Sequence, residues 1–161
     1  MKYIFDTSSI IVLLEVCGLE SQLKSFSSKN QLYMPHRVRE EYLRGAKVCT
    51  ATSLSLFSII TVDLSDELLP YFHFDSSSGE IWVISHVITH QDYCCVIDEE
   101  FGRNICKLFQ LKLIGAIGII QRLKEKGFLS NEDLEKIRKK IRNSHFYLSQ
   151  KLLKKLDQIC L

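Results

Sequence analysis

Apolar positions along this chain follow two rhythms, and the places where one gives way to the other mark its elements. Short apolar runs bounded by polar or turn residues read as strands: Tyr3-Ile4-Phe5, Gln31 to Met34, Ser58 to Leu64, Tyr93-Cys94-Cys95-Val96-Ile97 and Leu111 to Ile114. The third contains Ile59-Ile60-Thr61-Val62, β-branched throughout, which favours extended backbone. Between the runs, helical spacing predicts Ser8 to Val16 stopped by Gly18, Leu19 to Ser27, Pro35 to about Leu43 ended by Gly45, and Ala46 to Phe57. Further helices follow from Glu80 to about Thr89, after Asp98-Glu99-Glu100 to about Phe109, and from Gly115 to Lys126, stopped by Gly127. Ser130-Asn131-Glu132-Asp133 is a strong start for a helix over Asn131 to Asn143. Ser149 to Ile159 closes the chain as an amphipathic helix with Leu152, Leu153, Leu156 and Ile159 on one face. The run at Tyr93–Ile97 is apolar on both faces, as central parallel strands are. Strands alternating with helices predict an α/β domain, a parallel sheet flanked by helices. One domain spans 1–161, with residues 128–161, approximately, as a helical C-terminal extension.

Composition narrows the class. With 46% apolar and 25% charged residues, the chain is globular rather than disordered. Its apolar stretches fall short of a membrane span and no signal-type segment opens it, so a cytoplasmic location without a membrane partner is expected. Cys17, Cys49, Cys94, Cys95, Cys106 and Cys160 include no C-x-x-C pair and sit among apolar neighbours, as small buried hydrophobes of a reduced compartment do. Charge is uneven: residues 1–121 carry 10 basic and 14 acidic side chains, residues 122–161 carry 11 and 5. That basic end suits a polyanion, though a solvated helix face explains it equally. Within it, Lys136, Lys139, Lys140 and Arg142 are the candidate nucleic-acid contacts.

The acids change the picture more. Tyr3-Ile4-Phe5 runs into Asp6, and Cys94 to Ile97 runs into Asp98-Glu99-Glu100. Open α/β sheets hold ligands at the carboxyl ends of their strands. Each acid also has a plain structural role. Asp6 ahead of Thr7-Ser8-Ser9 could simply cap a helix, Glu80 at a helix start is favoured by the dipole, and Glu41 has arginines nearby. Convergence would separate the two readings, because carboxylates within ~5 Å raise each other's pKa until a cation neutralises them. Mg²⁺ suits such oxygen ligands, Mn²⁺ substitutes for it, and either activates water for in-line attack at phosphorus.

Four motifs stand in order: Tyr3-Ile4-Phe5-Asp6-Thr7-Ser8, Pro35-x-x-Val38-x-x-Glu41, Gly79-Glu80 and Ile97-Asp98-Glu99. Their order and spacing resemble the PIN-domain family. Arg103 follows Asp98 at the distance found in that family's Asp-Asp-x-x-Ala-Arg segment. Ile114-Gly115-Ala116-Ile117-Gly118 and Lys124-Glu125-Lys126-Gly127-Phe128-Leu129 resemble a prokaryotic subfamily of predicted ribonucleases with a helical C-terminus. The resemblance covers nearly the whole chain. It implies a three-layer α/β/α fold with a central parallel sheet plus C-terminal helices. It also implies an endoribonuclease that hydrolyses RNA at a four-carboxylate site, Asp6, Glu41, Glu80 and Asp98, holding Mg²⁺ or Mn²⁺. By the same resemblance Asp6 and Asp98 touch metal directly, while Glu41 and Glu80 act at a second metal or through water. Thr7 or Ser8 orients Asp6, Glu99 adds an acid, and Arg103 supports the site. Many PIN proteins are toxins of toxin–antitoxin pairs, so an antitoxin protein and a homodimer stand beside RNA as partners left open.

Glu99, Trp82 and Ala116 depart from the residues usual in that family and motivate the alternative, a catalytically weak RNA- or protein-binding domain. His86 and His90 have the i, i+4 spacing of zinc ligands, but no H-E-x-x-H motif supports them. Neither a G-x-S-x-G elbow nor a phosphate-cradling glycine loop is present.

Overall fold

The computed structural model describes residues 1–45, 54–71, 78–144 and 150–159. Among them, five strands pair in the order β3-β2-β1-β4-β5, every pairing parallel. They are β1 (Lys2–Phe5), β2 (Gln31–Pro35), β3 (Ser58–Ile60), β4 (Tyr93–Val96) and β5 (Leu113–Ile114). β1 takes the middle because Tyr3, Ile4 and Phe5 are all buried, so both faces of the strand lie under helices. Its partner β4 is buried along its whole length, with Lys2 opposite Tyr93 and Phe5 opposite Val96.

The chain leaves β1 towards β2 and β3 on one side, then returns to build β4 and β5 on the other. The strand order therefore reverses between β1 and β4. In open parallel sheets this reversal opens a crevice at the carboxyl ends of the strands.

Helices cover both faces, giving a three-layer α/β/α fold. α1 (Thr7–Ile10) continues without a break into a π-helical segment, Ile11–Val16, closed by the bond from the Cys17 N–H to the Val12 carbonyl. Gly18, at φ +70°, then ends the helix in the left-handed conformation that favours glycine. α3 (His36–Gly45), α4 (Gly79–Thr89) and α5 (Glu100–Leu108) pack in succession, and α4 lies on β1, β2 and β4. α2 (Glu20–Ser27) packs on α6 (Ala116–Glu125), which carries α8 (Gln150–Ile159) through buried Leu156 and Ile159. α7 (Asn131–Asn143) rests on the π segment and on α8. Its start is a capping box, in which the Ser130 hydroxyl accepts from the Asp133 N–H and the Asp133 carboxylate accepts from the Ser130 N–H.

Some boundaries differ from the sequence expectation. Pro35 ends β2 opposite Ile60 instead of opening α3. β3 stops at Ile60 because it is an edge strand with one neighbour, and β-branched residues alone do not extend a ladder. The helix expected over Ala46–Phe57 falls largely outside the described residues, as do Ser76 and Ser77 of Ser76-Ser77-Ser78-Gly79, whose turn-type residues predict a loop. A 3₁₀ turn at Asp66–Leu68 and the π segment have no counterpart in the apolar pattern. Among the described residues no helix is long and apolar enough to cross a membrane.

Candidate active site

Asp6 is the residue after β1, and its backbone N–H continues the ladder to the Val96 carbonyl at 3.1 Å. It is also the N-cap of α1. Its Oδ1 accepts from the Ser9 N–H at 2.8 Å, and its Oδ2 accepts from the Ser8 hydroxyl at 2.9 Å. The capping role is real, but a cap needs no burial, and Asp6 is only 2% exposed. Burial pushes its carboxyl up to about 7, the neighbouring Asp98 charge adds to the rise, and the serine donors hold it down.

Asp98 stands across the β1–β4 boundary. Its Oδ1 and Oδ2 lie 3.0 and 3.1 Å from the Ala116 N–H at the amino end of α6, where the helix dipole favours an anion. Ala116 thus serves through its backbone and needs no side-chain hydroxyl for this contact. Arg103 donates to the Ile97 carbonyl at 2.7 Å, which pins the turn carrying Asp98 and brings a positive charge to it. Burial nevertheless raises the Asp98 carboxyl above its ordinary value, against the Ser9 hydroxyl, the Ala116 N–H and Arg103.

Ser9 joins the two acids. Its N–H holds Asp6, while its fully buried hydroxyl lies 3.0 Å from Asp98 Oδ2 and 3.1 Å from the Val96 carbonyl. The sequence expectation assigned orientation of Asp6 to Thr7 or Ser8. Ser8 does bond Asp6, whereas Thr7 donates instead to Glu41 Oε2 at 2.5 Å. Ser9 escaped that expectation because the sequence shows three hydroxyl residues in a row and only depth distinguishes the third.

Glu41 comes from the middle of α3. Its Oε2 accepts from both the Thr7 hydroxyl and the Gly79 N–H, the latter at 3.1 Å at the start of α4. Glu80, in the first turn of α4, is 8% exposed, and burial pushes its carboxyl up to about 7. The charges of Glu99 and Glu41 add to that rise, while the Ser78 hydroxyl opposes it. Glu99 is exposed at the N-cap of α5 and bears on the cluster through its charge.

Three glycines make room for this arrangement. A Cβ at Gly79 would stand 2.6 Å from Glu41 Oε2, one at Gly102 2.7 Å from Glu80 Oε2, and one at Gly115 2.5 Å from Asp98 Oδ1. No alanine fits at these positions without moving a carboxylate. The pattern is a missed signal: the sequence shows the glycines but not what lies against them.

The structure therefore gathers Asp6 with Asp98, and Glu41 with Glu80, and links the halves through the adjacent residues Asp6 and Thr7. Among the described residues no three His, Cys, Asp or Glu side chains stand close enough to hold a metal ion between them. The donor set itself fits Mg²⁺ or Mn²⁺. It is all oxygen, it carries excess negative charge in a buried setting, and Mg²⁺ needs only one or two carboxylates beside waters and substrate phosphate.

The basic end is arranged differently. Lys136 pairs with Glu132 at 2.7 Å on the surface of α7, and Lys140 donates to the Cys17 carbonyl at 3.0 Å. Arg142 and Arg138 both pair with Asp157 of α8, at 3.0 and 2.7 Å. Lys139 is exposed. Three of the four predicted nucleic-acid contacts thus hold helices to each other or to the π segment, or lie in a surface ion pair. His86 and His90 stack face to face, 4.2 Å apart at 8°, which turns their nitrogens away from a shared point. Burial pushes His86 down to about 4, so its ring packs neutral beside Tyr93.

No curated protein and no solved structure matches the chain. A family model described as DUF3368, PIN domain, matches residues 2–159, and with that match the chain belongs to the PIN-domain family.

Proposed function

We propose that the protein is a divalent-metal-dependent endoribonuclease, hydrolysing RNA phosphodiester bonds with Asp6, Glu41, Glu80 and Asp98 as its catalytic carboxylates. The PIN fold is in general a nuclease fold. The observation that carries the reading is the Asp6–Asp98 pair: two acids bridged by Ser9 where the order of a parallel sheet reverses, with Asp6 held up to about 7. Such a pair destabilises a metal-free fold, and a hard cation reverses that effect. Asp6 and Asp98 would hold Mg²⁺ or Mn²⁺, with Glu41 and Glu80 reaching it through water or holding a second ion. The bound ion supplies charge neutralisation at the phosphate and a lowered pKa for attacking water. Ser8 and Ser9 fix the Asp6 carboxylate, the Ala116 N–H and Arg103 fix Asp98, and Thr7 with the Gly79 N–H fixes Glu41. Side chains held in this way contribute to catalysis by preorganisation.

Incubation with Mn²⁺ and a circular single-stranded RNA tests the proposal, because only internal cleavage opens a circle. Intact RNA together with no Mn²⁺ binding by calorimetry would end it. That no three of the described acids stand close enough to hold one ion between them favours a second reading, a catalytically weak domain that binds RNA or protein. RNA binding that survives chelation, with no cleavage in Mn²⁺, would select it. A cytoplasmic site of action and a toxin role belong to the same proposal. A small DNA-binding protein encoded next door that neutralises the activity would support the toxin role.

A further inference from the structure

Trp82 is the chain's single tryptophan, and it follows Glu80 by two residues in the opening turns of α4. It is half-buried, and the Arg37 guanidinium lies over its ring, 5.6 Å from centroid to Cζ. The Arg37 side chain is 51% exposed, and its partner Glu40, 3.3 Å away, is nearly as open. Ion pairs of that kind are weak and exchange readily for another anion.

The same helix crossing builds half of the acid cluster. One turn along α3 from Arg37 stands Glu41, one turn back along α4 from Trp82 stands Gly79, and the Gly79 N–H donates to Glu41. Residues four apart on a helix have Cβ atoms about 6 Å apart. The indole–guanidinium pair therefore flanks the carboxylates at the distance of a neighbouring nucleotide rather than that of the reacting phosphate.

Its chemistry selects the occupant. An indole face and a planar guanidinium together offer a π surface and a fork of donors, which match an unpaired base and its phosphate. A free small anion would gain only Arg37 and would meet Glu40 and Glu41. A duplex keeps its bases stacked inside and cannot present one to a ring. Lys140, Arg138 and Arg142, by contrast, are held by Cys17, Glu135 and Asp157.

We propose that Trp82 and Arg37 form a stacking subsite for one unpaired base of single-stranded RNA, beside the cleavage position. The inference rests on the nuclease reading above and names its substrate class. Trp82 carries the base by stacking, and Arg37 leaves Glu40 for the adjoining phosphate.

The single tryptophan makes the subsite directly observable. A short single-stranded RNA of mixed sequence is titrated into the full chain in chelator, following indole emission and the anisotropy of a labelled copy. Saturable quenching in step with binding is expected, with none from a blunt duplex of the same sequence. By anisotropy, Trp82→Phe should bind within about threefold of the parent, while Trp82→Leu, which keeps apolar bulk without a ring, should bind about tenfold more weakly. Arg37→Ala should lower the salt slope by roughly 0.7, one phosphate contact on a single strand. RNA that binds without changing the emission, a duplex that quenches equally, Leu matching Phe, or no binding of RNA at all would each overturn the proposal. Cleavage assays in Mn²⁺ run alongside separate the two readings. Cleavage without quenching removes the subsite and keeps the nuclease, whereas quenching without cleavage keeps the subsite and removes the nuclease.

Discussion

Asp6→Asn exchanges one oxygen of a buried carboxylate for an NH₂ group and leaves the shape of the side chain unchanged. The Ser9 N–H can still donate to the amide oxygen, and the Ser8 hydroxyl can turn to accept from the new NH₂. Only the charge is lost. Burial raises the Asp6 carboxyl from an ordinary 3.8 to about 7, so the folded protein keeps this proton over a range in which the unfolded chain releases it. Where the folded state binds more protons, stability falls as pH rises, here from about pH 4 to about pH 7, and is level beyond. At 1.36 kcal/mol per pH unit the full penalty is on the order of 4 kcal/mol, and relaxation around the ion makes about 2–4 kcal/mol the expected range. Asparagine carries no such penalty. Urea unfolding in chelator should therefore give similar midpoints for parent and variant near pH 4. Near pH 8 the variant should be higher by roughly 1–4 M, taking a urea slope of about 1–2 kcal/mol per M. The same variant should not cleave RNA, and together these results would identify an acid kept for function at the expense of stability. An equal or lower midpoint for Asp6→Asn near pH 8 would refute the reasoning, because it would mean that the folded protein already compensates the charge.

The remaining predictions concern the same cluster and the basic end. Mn²⁺ at about a hundred times its Kd should stabilise the parent by about 2.7 kcal/mol, or roughly 5–10 °C in Tm for a domain of this size, and should leave Asp6→Asn unmoved in calorimetry. Gly79→Ala puts a methyl 2.6 Å from Glu41 Oε2 and 2.8 Å from Thr7 Oγ1. The carboxylate must leave its donors, so cleavage should fall about tenfold or more while Tm shifts by only a few degrees, since the displaced atoms are side-chain ends. Lys140→Met removes the donor to the Cys17 carbonyl and should cost about 1 kcal/mol of stability without changing the salt dependence of RNA binding. A flatter salt slope in that variant would return Lys140 to the RNA surface.

What could be read in advance followed from burial pattern and local chemistry. β4 was visible because burial on both faces leaves an unbroken apolar run, and α7 because Ser130 and Asp133 sit at capping-box spacing. The strand-end positions of Asp6 and Asp98 were equally plain, but their adjacency depends on β1 and β4 pairing across most of the chain. The π segment was not readable, since Ile11–Val16 would suit an α-helix and only its hydrogen bonding, such as the Cys17–Val12 bond, distinguishes the two. The basic end was readable as charge and not as contact. Asp157 is a single acid in the last helix, and nothing in its neighbours announces that Arg138 and Arg142 both turn to it.

The bond from Ser9 to Asp98 closes a span of 89 residues. At about 5–20 residues per second, a ribosome needs roughly 4–18 s to pass from one to the other, and longer to deliver the Ala116 N–H. During that interval the growing chain holds Asp6 and Glu41 but has no β4 for β1 to pair with, and non-local parallel pairing is slow even once both strands exist. Each copy therefore completes its acid cluster only once β4 and the start of α6 have been made. On the nuclease reading, a half-made chain is harmless to the message from which it is being translated.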